Sequence, residues 1–231
     1  MTRLYLVRHG QASFGASHYD RLSPLGERQA VLLGQHLQRT AFRADAWLSG
    51  TLDRQRATLV GMLQGLESPP STDAHPGFNE YDHEAIFGAY LPRVMAEMGV
   101  TPDDRIALFS DTRQFQLAFA RAMQHWVDGA PHEKPPFETW ESFQTRLRES
   151  LERMARSSHE RIVIVTSGGP IAFAIQAALG LTTEKTFALN WAIYNSSVTE
   201  LRLRRGTLML AGFNNVAHLE LASDSTLLTY R

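Results

Sequence analysis

Cysteine is absent from the 231 residues. Disulfide bridges, thiolate metal ligands and cysteine nucleophiles are therefore excluded. Neither sign of charge is in excess: 23 Lys and Arg stand against 24 Asp and Glu, a formal net charge of -1. That balance argues against unspecific nucleic-acid binding and still allows a local basic pocket. Long hydrophobic runs are scarce. Only four apolar residues separate Arg3 from Arg8, so no amino-terminal signal segment is expected. From Ile162 to Thr183 no residue is charged, a length sufficient to span a bilayer. Thr166-Ser167-Gly168-Gly169-Pro170 interrupts it, and the stretch reads better as a strand at 162–165, a turn, and a helix from about Pro170 to Leu179. Cytoplasmic residence without a membrane partner is the resulting expectation. Repeats, low-complexity tracts and long linkers are also missing. What remains, 43% hydrophobic and 20% charged, is the composition of an ordinary globular chain.

The richest segment is the first: Leu4-Tyr5-Leu6-Val7-Arg8-His9-Gly10. Its apolar run suits a strand buried on both faces, ending in a cation, an imidazole and a glycine. Open α/β sheets place ligands at the carboxyl ends of their strands. Arginine favours a phosphoryl dianion there, and histidine can attack one. After a polar loop, Gln11–Leu22, the pair Ser23-Pro24 opens a helix to about Thr40. A short strand at Ala46–Leu48 and a helix from about Leu52, with Leu59, Met62 and Leu63 on one side, follow. Strand and helix in alternation predict a parallel sheet.

The stretch from about Ser68 to Pro136 is rich in Pro, Asp and His and carries helical patches at Glu84–Met98 and Arg113–Val127. It reads as an insertion shaping a substrate site, and Ile106–Phe109 within it fits a strand as well as a loop. A helix at Glu138–Arg156, a strand at Arg161–Val165, and a hairpin of Val198–Leu203 with Thr207–Leu210 about an Arg204-Arg205-Gly206 turn complete the chain.

Three further segments bear on the first strand's end. Ser49–Thr58 places Arg54 at a helix start, where free N–H groups favour anions, while Arg56 two positions on points elsewhere. Val165–Ile171 runs a buried strand into a glycine turn, a second backbone anion site. Phe78–Glu84 holds Glu80, Asp82 and Glu84, any of which has the chemistry to protonate a leaving alkoxide.

Taken together, Leu6–Gln11, the Leu22–Ala30 helix start with its Gly26 and Gln29, and Leu52, Arg54 and Thr58 resemble the histidine phosphatase superfamily, the phosphoglycerate-mutase-like enzymes. Weaker similarity continues through Glu141–Phe143, Arg161–Ile171 and Asn195–Val198 and leaves about 85–137 unmatched. The resemblance implies an α/β three-layer sandwich with a mostly parallel central sheet, one domain over 1–231 with a helical cap at about 81–137. It implies that His9 is phosphorylated, that Arg8 and Arg54 hold the phosphoryl oxygens, that Glu80 is the acid, and that no metal or cofactor takes part. The implied partner is a small phosphorylated substrate, hydrolysed as a phosphomonoester.

Three departures stand out. Where the family carries a second histidine, this chain has Ser167, a shorter and neutral donor; with Gly168 beside it, Ser167 is still assigned to phosphate binding. The lost charge-assisted hydrogen bond is worth about 1.5–3 kcal/mol, so histidine restored at 167 is expected to raise the rate. His83 is the nearest basic candidate for compensation. Gln11-Ala12-Ser13-Phe14-Gly15 lacks the Ser/Thr and Asn of mutases, and the family's Gly-x-x-Glu-Gly continuation is missing around Ile86-Phe87-Gly88. A weakened phospho-ligand binding protein and a phosphoglycerate-type mutase are the alternatives.

Overall fold

The computed structural model describes residues 1–13, 20–64, 66, 69–101, 109–132, 137–204 and 206–230. Phe14 and Gly15, the 106–108 part of the expected short strand, Ser68 and the hairpin's Arg205 lie outside them. The described residues form two compact units, Met1–Glu80 with Leu147–Arg231, and Tyr81–Arg146.

The first unit is built on one six-stranded sheet. Its strands are β1 (Thr2–Arg8), β2 (Ala46–Ser49), β3 (Thr72–Ala74), β4 (Arg161–Thr166), β5 (Val198–Arg204) and β6 (Thr207–Asn215). Their order is β3-β2-β4-β1-β5-β6. The pairings from β3 across to β1 are parallel, three of the five, and the β1–β5 and β5–β6 pairings are antiparallel. Registers matter more than order here. Arg8 lies opposite Thr166, and Val165 opposite Ser49. Three parallel strands thus end level, and the segments that follow them emerge along one sheet edge.

The central strands are buried on both faces, as their unbroken apolar runs require. Val7, Trp47, Val163 and Val165 pack with Ala30, Leu33, Leu59, Met62 and Leu63 of helices α1 (Pro24–Arg39) and α2 (Asp53–Leu63). The alternate residues Leu4, Leu6, Ile162 and Ile164 are buried on the opposite face. Helix α6 (Gly168–Leu179) packs on β1 and β6, and α7 (Thr183–Ala192) packs on α6. A short helix, α8 (Ala217–Glu220), lies against α1.

Local signals explain most boundaries. Ser23 Oγ accepts from the Gly26 N–H and Pro24 sits at the first turn, so α1 starts where expected. Helix α6 begins two residues before Pro170. Proline's missing N–H falls among the four amides that have no acceptor inside the helix, so the helix extends upstream through Gly168 and Gly169. Strand β3 was not expected; its three residues are all exposed and carry no apolar alternation to reveal it. The uncharged 162–183 stretch is divided between β4 and α6, and no helix among the described residues is long and apolar enough to cross a membrane.

The second unit is helical. It contains α3 (His83–Met98), α4 (Thr112–Val127) and the start of α5 (Trp140–Arg156), whose later turns belong to the first unit. Asp82 caps α3 by accepting from the Ala85 N–H at 2.9 Å. The unit's core is aromatic: Tyr81, Trp126, Trp140 and Phe143 pack together, and Phe87 meets Phe115 and Phe119.

Candidate active site

His9 follows β1 directly. Its own N–H donates to Thr166 O at 2.8 Å, which continues the β1–β4 ladder by one residue. Its carbonyl accepts from Asn195 Nδ2 at 3.2 Å and from the Ser196 N–H at 3.3 Å. The backbone of His9 is therefore held on both sides. The ring is equally constrained. Nδ1 lies 2.7 Å from Gly10 O, and Nε2 lies 3.2 Å from Arg54 Nε. A carbonyl only accepts and a guanidinium only donates. Nδ1 therefore carries the hydrogen, and Nε2 presents a lone pair. Burial, then the neighbouring guanidinium groups of Arg54 and Arg8, hold the imidazole well below its usual titration range. The ring is neutral and nucleophilic at ordinary pH.

Gly10 makes the turn possible. A Cβ there would stand 2.4 Å from Gly26 O in the first turn of α1. The Gly10 N–H donates to Thr58 Oγ1, and Thr58 in turn donates to Arg54 O, so α2 is tied to the loop that follows β1.

Arg54 sits at the second position of α2 and is 7% exposed. Its Nε faces His9, and its Nη1 donates to Asp20 Oδ1 at 2.6 Å. Arg56 is exposed, as its spacing implied. Arg8 is half-buried, and its Nη1 donates to Ile193 O just past the end of α7. The last turn of α7 also brings Asn190 onto Gly168. A Cβ on Gly168 would lie 2.2 Å from Asn190 Oδ1 and 3.7 Å from Arg8 Nε. Glycine at 168 thus leaves room for an amide beside the Arg8 guanidinium.

Glu80 follows a 3₁₀ turn, Pro76–Phe78, and its Oε2 accepts from the Gly169 N–H at 3.0 Å. Asn79 fixes that turn by accepting from the Thr51 N–H and donating to Thr51 Oγ1. Of the three candidate carboxylates, Glu80 is the one in the first unit with His9. Asp82 is occupied as a helix cap, Glu84 is exposed, and both belong to the second unit. His83 also lies in the second unit, against Phe119.

Ser167 is fully buried, and its Oγ accepts from Gln55 Nε2 at 2.8 Å. The same nitrogen donates to Phe78 O, and Gln55 Oε1 accepts from the Leu52 N–H. Gln55, Asp20 and Asn190 were not anticipated. Gln55 lies within Ser49–Thr58 but reads as one polar residue on a helix. Asp20 lay in a loop without periodicity, and Asn190 in a helix without a motif. Asn195 stands in the Asn195–Val198 segment, where an asparagine before a strand is its only signal in the sequence. Ser196, in the left-handed region at φ 55°, is held by Nε2 of the buried His218 at 2.8 Å.

Two helix N-termini, two guanidinium groups and a neutral imidazole make this sheet edge suited to a tetrahedral anion. Comparison with known proteins agrees with that chemistry. The sequence matches the histidine phosphatase superfamily (branch 1) over residues 4–114 and 110–216. The match runs through the 85–137 stretch for which the motifs had found no counterpart. A curated relative from Hydrogenobacter thermophilus, provisionally named phosphoserine phosphatase 2, is 24% identical over 227 residues, or 94% of this chain and 98% of its own. Among solved structures, YhfR of Bacillus stearothermophilus superposes with a TM-score of 0.67 at 22% identity, over 95% of this chain and 100% of its own. A phosphoserine phosphatase variant from Entamoeba histolytica in complex with phosphoserine gives 0.62 at 18% identity, over 95% and 100%.

Proposed function

The chain belongs to the histidine phosphatase superfamily, and we propose that it hydrolyses a small phosphomonoester through a phosphohistidine at His9. The observation that carries this reading is the state of the His9 ring. Its Nδ1 hydrogen is committed to Gly10 O, and its Nε2 lone pair is turned toward a guanidinium.

In the resting protein Arg54 Nε–H occupies the lone pair that must attack. An arriving phosphoryl group takes that N–H onto one of its own oxygens, and Arg8 balances the charge from the other side. Nε2 then forms a bond to phosphorus while the ester P–O bond breaks. The departing alkoxide takes a proton from the Glu80 carboxyl group. Water next attacks phosphorus, Glu80 takes its proton, and the N–P bond breaks to release inorganic phosphate. The guanidinium groups and the amides at the start of α6 supply the positive field for the transition state. The H. thermophilus and E. histolytica relatives support a phosphorylated small molecule as the substrate class. The second unit, Tyr81–Arg146, carries none of the phosphoryl-binding motifs.

Hydrolysis of 4-nitrophenyl phosphate by the native chain, and of that ester by His9→Ala, tests the reading. The native protein is expected to turn over and form an acid-labile phosphoprotein on rapid quenching, and the variant to do neither. Equal turnover by the variant rejects phosphohistidine chemistry. Tight vanadate binding with no turnover across a panel of phosphoesters instead supports a binding protein, the reading that the neutral Ser167 favours.

A further inference from the structure

Asp20 belongs to none of the motifs above, yet its carboxylate touches the phosphoryl-binding machinery through both oxygens. Oδ1 accepts from Arg54 Nη1 at 2.6 Å, and Oδ2 accepts from the Asp53 N–H at 2.8 Å. We propose that Asp20 is a positioning residue that fixes the plane of the Arg54 guanidinium for phosphoryl transfer. The proposal rests on the phosphatase reading.

Four side-chain torsions separate a guanidinium from its backbone, so burial alone does not set its direction. Two bonds to different nitrogens of one rigid plane do. At Arg54 these bonds are Nη1 to Asp20 and Nε to His9 Nε2. The second must break when His9 attacks, since its acceptor becomes the nucleophile. The first does not involve the nucleophile and persists through the attack. Asp20 can hold it because its other oxygen is tied to the first amide of α2, the helix that carries Arg54. The carboxylate is fixed relative to that helix, and Nε–H passes from the imidazole to a phosphoryl oxygen by a small rotation about a held point.

The contact is also placed so that it does not obstruct. Asp20 meets Nη1, whereas the nitrogen that faces the nucleophile is Nε. The Asp20 side chain is 39% exposed, so water screens its repulsion of an incoming dianion, while the 8% exposed Arg54 side chain keeps a directional partner.

A double-mutant cycle tests this. Asp20→Ala, Asp20→Asn, Arg54→Ala and Asp20→Ala with Arg54→Ala are compared for kcat and KM on 4-nitrophenyl phosphate, for orthovanadate affinity, and for melting temperature. Asp20→Ala is expected to lose roughly tenfold to a hundredfold in kcat/KM, chiefly in kcat, with Asp20→Asn retaining part of the rate. In the Arg54→Ala background the same change is expected to cost less than about threefold, since a residue acting through Arg54 has nothing left to position. Equal losses in both backgrounds overturn the proposal in favour of a general effect on α2. Tighter vanadate binding and a faster rate in Asp20→Ala overturn it in favour of a carboxylate that competes with substrate, and an unchanged rate overturns it outright. If the native chain does not turn over, the phosphatase reading fails by that observation alone; the vanadate cycle still decides, by the same coupling, whether Asp20 acts through Arg54.

Discussion

Histidine restored at position 167 is the obvious way to return this site to the family pattern, and the structure indicates that the change fails by itself. Ser167 has no exposed surface, and the space beyond its hydroxyl is filled by the Gln55 amide 2.8 Å away. An imidazole adds five ring atoms in place of one oxygen. Overpacking of that kind costs about 1–3 kcal/mol. For a chain of this length each kcal/mol is worth roughly 2–4 °C in melting temperature, so Ser167→His is expected to melt some 2–12 °C lower. It is also expected to gain no rate, because the ring is driven away from the phosphoryl position. Gln55→Ala makes room. Its own cost is about 1–3 kcal/mol, that of leaving the buried Ser167 hydroxyl without its donor. Phe78 O keeps the Thr166 hydroxyl as a donor at 2.6 Å. In the double variant the two costs offset each other. The melting temperature is expected to recover above that of Ser167→His, and kcat/KM to rise above the native value by one to two powers of ten, the worth of one charge-assisted hydrogen bond of about 1.5–3 kcal/mol. Thermal denaturation and hydrolysis of 4-nitrophenyl phosphate by the four proteins measure this. A Ser167→His protein that is faster than native and melts at the native temperature refutes the reasoning, since Gln55 is then no obstacle.

Two further outcomes are expected. His218 is buried beside Ser196, and burial, aided by the charge of His36, lowers its pKa to about 3. A folded-state value below the unfolded one means that the unfolded chain binds the proton first, so this stability is complete above about pH 6.5 and is lost as pH falls toward 3, on the order of 4–5 kcal/mol in all. His9 is shifted in the same direction. Melting curves between pH 7.5 and 5 are expected to fall less steeply for His218→Gln than for the native chain, and parallel curves contradict the assignment. Glu80→Gln is expected to slow formation of the phosphoenzyme from alkyl phosphates, whose alkoxides need a proton, by about 10²–10⁴, and from 4-nitrophenyl phosphate by less than roughly tenfold, as read by rapid quenching. Its breakdown, in which Glu80 is the base, is slowed alike whichever ester formed it. Equal losses in the formation step on both esters count against Glu80 as the acid.

The elements that were legible in the sequence are those whose signal is local. Strand β1 is an unbroken apolar run, α1 carries Ser23 and Pro24 at its start, and the helices at 83–98 and 112–127 repeat their apolar residues at helical spacing. Strand β3 was invisible because three exposed residues that add to an existing edge need no pattern of their own. The start of α6 lies two residues before Pro170 because a proline near a helix start can mark its third position as well as its first. At the site, Arg8, His9 and Arg54 were legible because each ends a strand or begins a helix. Asp20, Gln55 and Asn190 were not, because their roles exist only through partners 34, 112 and 22 positions away.

The sequence by itself determined the kind of chemistry on offer: an imidazole and a guanidinium at the end of a buried strand, with a second guanidinium and a glycine turn at later helix starts. Those follow from residue type and local spacing, which folding cannot alter. Tertiary structure was needed to show which nitrogen of His9 carries the lone pair, which carboxylate meets the Gly169 N–H, and that Ser167 faces Gln55. Each of these depends on the level ending of β1, β2 and β4, a matter of strand register between segments more than a hundred residues apart.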